Sequence, residues 1–223
     1  MPDAVNKRAY DSPVRREQAR RTRAAVVQAA NRRFLVDGYA PTTLAAVAKD
    51  AGVSADTVYA VFGSKRGLLD AVMDVNVGGD DEPTAVLDRE MPQRMRAERD
   101  QRTQLALFAT GMAGQLERMR PLDDVMRSAA AADPEVAAAR HEQIDVQRHA
   151  AMTAVVGWIR ARGPLRAGLD DATATDVVWT LTSPEVHHML LTIRGWTRSQ
   201  YETWLRETLE QSLLPGKSAG GSS

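Results

Sequence analysis

The residues best able to do chemistry in this chain are its four histidines and the carboxylates beside them. His141, Asp145 and His149 fall at i, i+4 and i+8, a spacing that can turn three ligands toward one divalent ion if the run is helical. The surrounding segment RHEQIDVQRH is highly charged, and it reads as a solvated helix face with no metal. His187 and His188 are neighbours that must point in different directions, which suits packing or an interface better than shared ligation. Cysteine is absent, so thiolate chemistry and disulfides are excluded. No nucleophile elbow, P-loop or dinucleotide fingerprint occurs. Catalysis has no sequence support, and the expectation is a chain that is no enzyme and needs no cofactor.

Recognition chemistry is better represented. In GVSADTVYAVFGSK, residues 52–65, Gly52 can end one helix and Ser54 start the next, and Gly63 and Ser64 repeat the pattern. A short helix, a tight turn at Ala51–Ser54 and a second short helix make a helix-turn-helix, whose second helix enters the DNA major groove while the first braces it. Ser54, Ala55, Asp56 and Thr57 form the leading turn of that second helix. Thr57 can hydrogen-bond a base or phosphate, and Ala55 can meet a thymine methyl. Asp56 is explained by the helix dipole. The charge agrees: residues 1–70 hold 12 Lys+Arg against 7 Asp+Glu, residues 71–223 hold 17 against 22, and the net charge of zero conceals a basic head on an acidic body.

The elements that must position these groups read as helices throughout. Residues 1–14 read as a disordered basic arm. A first helix from about Arg16 to Asp37 has Ala19, Val26, Val27, Ala30 and Phe34 on one face and Arg20, Arg21, Arg23, Arg32 and Arg33 on the other. Leu44–Ala51 follows, capped by Thr42 or Thr43, and Val47, Val53, Val58, Phe62 and Leu68 can form the small core that sets the angle of the reading helix. GGDDEP, residues 78–83, marks a domain junction. Beyond a short helix within 84–99, helices are expected at about 101–119, 122–132, 134–162, 171–182, 184–194 and 199–213, with Pro121, Pro134 and Pro184 at helix starts. The fold class is all-α: a three-helix DNA-binding domain at 15–74, a helical body at 75–214 and a flexible tail at 215–223.

The run TTLAAVAKDAGVSADTVYAVFGSKRGLLDAVMD, residues 42–74, resembles the signature of TetR-type transcriptional regulators. The resemblance lies in Thr42-Thr43-Leu44, Ala48, Ala51-Gly52-Val53-Ser54, Tyr59, Phe62, Ser64-Lys65 and Leu68-Leu69, and it covers about residues 16–74. It implies a homodimer whose amino-terminal helices bind a palindromic DNA operator and whose body binds a small-molecule effector, usually releasing the DNA. It also implies phosphate contacts for Thr43, Tyr59 and Lys65, alongside Ser54, Ala55 and Thr57 on the reading helix. Family members often carry bulky polar or aromatic side chains where this chain has Ala60 and Val61, so Arg15, Arg16, Arg20 and Arg23 are candidates to compensate. The stretch 179–209 resembles the carboxy-terminal region of a subset of these regulators through Ser183-Pro184-Glu185, Arg194-Gly195-Trp196, Tyr201 and Trp204-Leu205.

In the body, Phe108, Met112, Leu116, Met119, Met126 and Trp158 can be core or the wall of an adaptable, partly apolar pocket, with Gln115 placed to orient a ligand. Val178, Trp179, Met189, Leu190, Trp204 and Leu205 exceed what one thin helix face requires, and they suggest a homodimer interface. No run of about 18 apolar residues exists and the polar amino terminus has no signal core, so a cytoplasmic protein without membrane contact is expected. Arg outnumbers Lys 25 to 4, a usage that fits a high-GC bacterial genome. An activator, a ligand-independent regulator and an architectural DNA binder of low specificity are the rival readings.

Overall fold

The computed structural model describes residues 13–79 and 85–216, and every regular element among them is helical. The chain divides into two compact units after Val72. In the first, α1 (Pro13–Asp37) leads to α2 (Leu44–Ala51), α3 (Ala55–Phe62) and the start of α4 (Lys65–Gly78). Side-chain caps set the short helices. Thr43 accepts from the Ala46 amide (3.1 Å), Ser54 from the Thr57 amide (3.1 Å) and Ser64 from the Gly67 amide (3.0 Å). Gly52 makes the α2–α3 turn at φ 69°, a left-handed conformation that costs a residue with a Cβ about 1–2 kcal/mol.

Val26, Val27, Ala30 and Phe34 of α1 are buried together with Val47 and Ala48 of α2, Val58 of α3, and Leu68 and Leu69 of α4. Val53 and Phe62, expected in this core, are only half-buried, and Ala19 is exposed. Phe62 instead takes the Arg23 guanidinium over its ring at 5.1 Å. A bidentate pair ties α1 to α2: Arg33 Nε and Nη2 donate to Asp50 at 2.7 and 3.1 Å, and this hydrogen bonding holds the Asp50 carboxyl below the usual range.

The second unit has a 3-10 turn at Val86–Asp88, then α5 (Glu90–Ala97), α6 (Gln101–Ala130), α7 (Pro134–Arg140), a π-helical segment His141–Gln147, α8 (Arg148–Arg160), α9 (Asp171–Leu181), α10 (Pro184–His188), a second π-helical segment Met189–Ile193, and α11 (Arg198–Leu213). Leu105, Ala109, Met112 and Leu116 of α6 share one core with Met152, Val155 and Ile159 of α8, Val178 of α9, and Leu205 and Leu209 of α11.

Several expectations from sequence are corrected here. Pro121 lies inside α6 and does not begin a helix. Proline removes one backbone bond at a cost of about 3 kcal/mol. Leu116, Met119, Leu122 and Met126 nevertheless continue one buried stripe through it, each contributing roughly 1.5–3 kcal/mol. Pro134 and Pro184 do begin helices, but the long helix expected over 134–162 contains the π segment at 141–147, and that over 184–194 contains another at 189–193. Of the arm expected at 1–14, Pro13 and Val14 belong to α1 and the rest lies outside the described residues. The same is true of residues 80–83 of the expected junction and 217–223 of the expected tail.

Candidate nucleic-acid interface and apolar cavity

The leading turn of α3 is organised by Ser54, whose hydroxyl lies 2.8 Å from that of Thr57 and accepts the Thr57 amide. Thr57 is therefore held in one rotamer, half-buried, with Ala55 also half-buried and Asp56 exposed. One turn on from Ala55, Tyr59 is 56% exposed, which removes it from the core and leaves its phenol on the protein surface. The exposed Val61 and Ala60 flank it without adding polar groups.

Lys65 and Arg20 are more constrained than the sequence suggests. Lys65 donates from Nζ to the Ala40 carbonyl at 2.9 Å and sits 4.1 Å from the Tyr39 ring centroid, so its ammonium is positioned by the α1–α2 connection. Thr43 is exposed while it caps α2, which leaves capping and phosphate contact compatible. On α1, Arg16 and Arg20 are exposed; Arg20 and Arg21 both donate to Glu17 (3.1 and 2.8 Å). Surface pairs of this kind contribute little and can open to a phosphate.

The second unit contains a cavity of about 1230 Å³. Six of the seven residues expected on a pocket line it: Phe108, Met112, Gln115, Leu116, Met119 and Trp158. Met126 does not. It lies past Pro121, 1% exposed, in the packed part of α6. The sequence reading misses the opposite wall. Residues 86–88 and α5 contribute there, as does the π segment with Gln143, Ile144, Gln147 and the adjoining Arg148. The sequence offers no signal for it, since RHEQIDVQRH reads by its charge as a solvated helix face.

Arg148 is tied to the cavity wall through neutral partners. Nε donates to the Ile144 carbonyl (3.1 Å), Nη1 to the Trp179 carbonyl (2.6 Å) and the Thr182 hydroxyl (3.1 Å), and the Trp179 ring lies 4.8 Å from its Cζ. Burial pulls its pKa down to about 10. The histidines separate: His141 meets Asp145 at 2.8 Å, whereas His149 turns to Asp176 of α9 at 3.1 Å. His187 is 1% exposed, edge-on to Tyr201 at 5.0 Å, and burial pushes its pKa down to about 4.

Of the residues expected at a dimer interface, Val178 and Leu205 are completely buried in their own chain and belong to its core, because α6, α9 and α11 enclose them. Trp179, Leu190 and Trp204 are half-buried against the same core. Met189 is 49% exposed, joined four residues on by Ile193 at 67%, which the sequence pattern does not single out.

Residues 26–72 match the family model described as bacterial regulatory proteins, tetR family. Over 59 residues the chain is 42% identical to the HTH-type transcriptional regulator TtgR of Pseudomonas putida, which is 26% of this chain and 28% of that protein. The chain thus spans about 28% of the length of the curated relatives it matches. Among solved structures it resembles a protein of Mesorhizobium loti assigned to the TetR family of transcriptional regulators (TM-score 0.64, 20% identity, 87% of this chain and 96% of that one). It also resembles NalD, the secondary repressor of the MexAB-OprM multidrug efflux pump in Pseudomonas aeruginosa (TM-score 0.64, 20% identity, 86% and 96%). At these identities the structural likeness is one of fold. The amino-terminal helices are thus matched by the tetR-family model, and the helical architecture is shared with these structures along most of the chain.

Proposed function

We propose that the protein is a homodimeric repressor that reads a palindromic operator with α3 and leaves it when a small, partly apolar effector fills the cavity of the second unit. The observation that carries this reading is a short helix capped at Ser54 and turned at Gly52, displaying Tyr59 in a unit separate from one that holds a large apolar cavity. Ser54, Ala55 and Thr57 read base edges in this scheme. Thr43, Tyr59, Lys65, Arg16 and Arg20 take phosphates, whose contacts set affinity and register. Effector binding favours a spacing of the two reading heads that no longer fits successive major grooves.

The experiment is selection from a random duplex pool, followed by anisotropy titration of the winning sequence at two salt concentrations. A palindromic winner bound far more tightly than random DNA is expected. Binding without sequence enrichment, lost steeply as salt rises, would replace the operator-specific reading with an architectural one. Heads whose spacing, measured between labels, stays fixed in saturating effector would remove the release mechanism.

A further inference from the structure

Arg148 is a half-buried cation on the wall of the apolar cavity with no carboxylate hydrogen-bonded to it. It stands where the first π segment meets α8, on the same wall as Gln143 and Gln147. Its hydrogen-bond acceptors are two carbonyls and a hydroxyl, all neutral. Its Nη2 is shut from solvent and has no partner among the described residues. The two carboxylates whose field reaches it are engaged elsewhere, Glu185 with Arg140 and Asp145 with His141. Two other arginines of the wall do have partners: Arg198 pairs with Glu117 at 3.1 Å, and Arg89 donates to the Gly78 carbonyl at 3.0 Å. Arg118 is exposed, as are the acidic wall residues Asp88 and Glu90. A buried charge lacking an opposite charge is costly to hold, and an anion that completes its hydrogen bonds recovers that cost.

We propose that the cavity takes an amphipathic monocarboxylate, its carboxylate on Arg148 beside Gln143 and Gln147, and its apolar chain or ring among Phe108, Met112, Leu116 and Met152. This rests on the reading of the cavity as the effector site and adds the chemical class of the effector. The carboxylate supplies the missing negative charge beside the guanidinium. The apolar body displaces water from a wall that offers it few hydrogen bonds. Quaternary ammonium compounds are selected against, because they would face a cation with nothing to offset it.

Three probes of equal chain length test this on the full-length protein: decanoate, decan-1-ol and decyltrimethylammonium, each kept below its micellar range. Binding is followed by calorimetry and by tryptophan fluorescence, to which Trp158 on the wall contributes. Decanoate should bind about tenfold to a hundredfold more tightly than decanol, the range for a hydrogen bond to a charged group, and the ammonium most weakly. Arg148→Gln should abolish the preference for the acid, bringing decanoate to the affinity of decanol measured in the same variant. The comparison within the unmodified protein decides the matter even if that variant does not fold. Decanol bound as tightly as decanoate, or the ammonium bound best, overturns the carboxylate assignment and leaves the apolar cavity standing. A folded Arg148→Gln protein that keeps the preference for the acid likewise overturns it. Binding of none of the three overturns the assignment together with the effector reading.

Discussion

Tyr59 shows how a single residue can be assigned by exposure. A tyrosine at helical spacing among Val58, Val61 and Phe62 could equally be core, and only the 56% exposure of its side chain decides otherwise. Tyr59→Phe should therefore leave thermal stability unchanged while weakening operator binding about fivefold to tenfold, the loss of one hydrogen bond of about 1 kcal/mol; anisotropy and a melting curve on the same preparation separate the two effects. His187 makes the opposite case, a polar residue withdrawn into the core. Its pKa is about 4 in the fold against 6.5 in the free residue. Between those values the unfolded chain holds a proton that the folded chain lacks, so stability should fall as pH drops from about 6.5 to 4, by on the order of 3 kcal/mol in total. Urea unfolding at several pH values should show a shallower loss in His187→Gln. Equal losses in the two proteins would place the acid sensitivity in another group. The sequence identifies His187 as a packing or interface residue, but its titration depends on neighbours such as Tyr201 and Arg120 that lie far from it in the chain.

At the scale of elements, local signals mark the helix-turn-helix because its caps act within three residues: Thr43 on Ala46, Ser54 on Thr57, Ser64 on Gly67. The packing between α3 and α4 carries no such mark. A Cβ on Gly67 would lie 2.2 Å from the Phe62 carbonyl oxygen, a backbone atom that cannot step aside without moving the end of α3. Gly67→Ala should cost roughly 1–3 kcal/mol in urea unfolding and weaken operator binding through the displaced reading helix. Unchanged stability and affinity would show that the two helices can separate freely. The two π segments are equally invisible in the sequence, since apolar periodicity over 134–162 fits an α-helix closely enough to hide a local change of register. The change matters because π turns gather at functional sites, and this one adjoins Arg148 on the cavity wall.

For the whole molecule, the dimer of the proposed function needs an apolar surface that the single chain does not cover. Met189 and Ile193, four residues apart on the second π segment, are such a surface. Ile193→Asp should raise the dimer dissociation constant at least tenfold in sedimentation runs over a concentration series, because it removes a side chain whose burial contributes roughly 1.5–3 kcal/mol and adds a charge. An unaltered dimer would move the interface away from this face. Sequence alone determined that the chain is helical, where α3 starts and stops, and that the amino-terminal region resembles the helix-turn-helix of a known family. Those properties rest on capping, glycine conformation and apolar spacing, all of which act between residues a few positions apart. Tertiary structure decided which apolar residues are core and which stay exposed. It buried Val178 and Leu205, kept Met126 off the cavity, and brought Arg148 against Trp179 and Thr182 with no carboxylate to share. Burial and the pairing of charges are set by residues tens of positions apart, and a one-dimensional pattern does not carry that information.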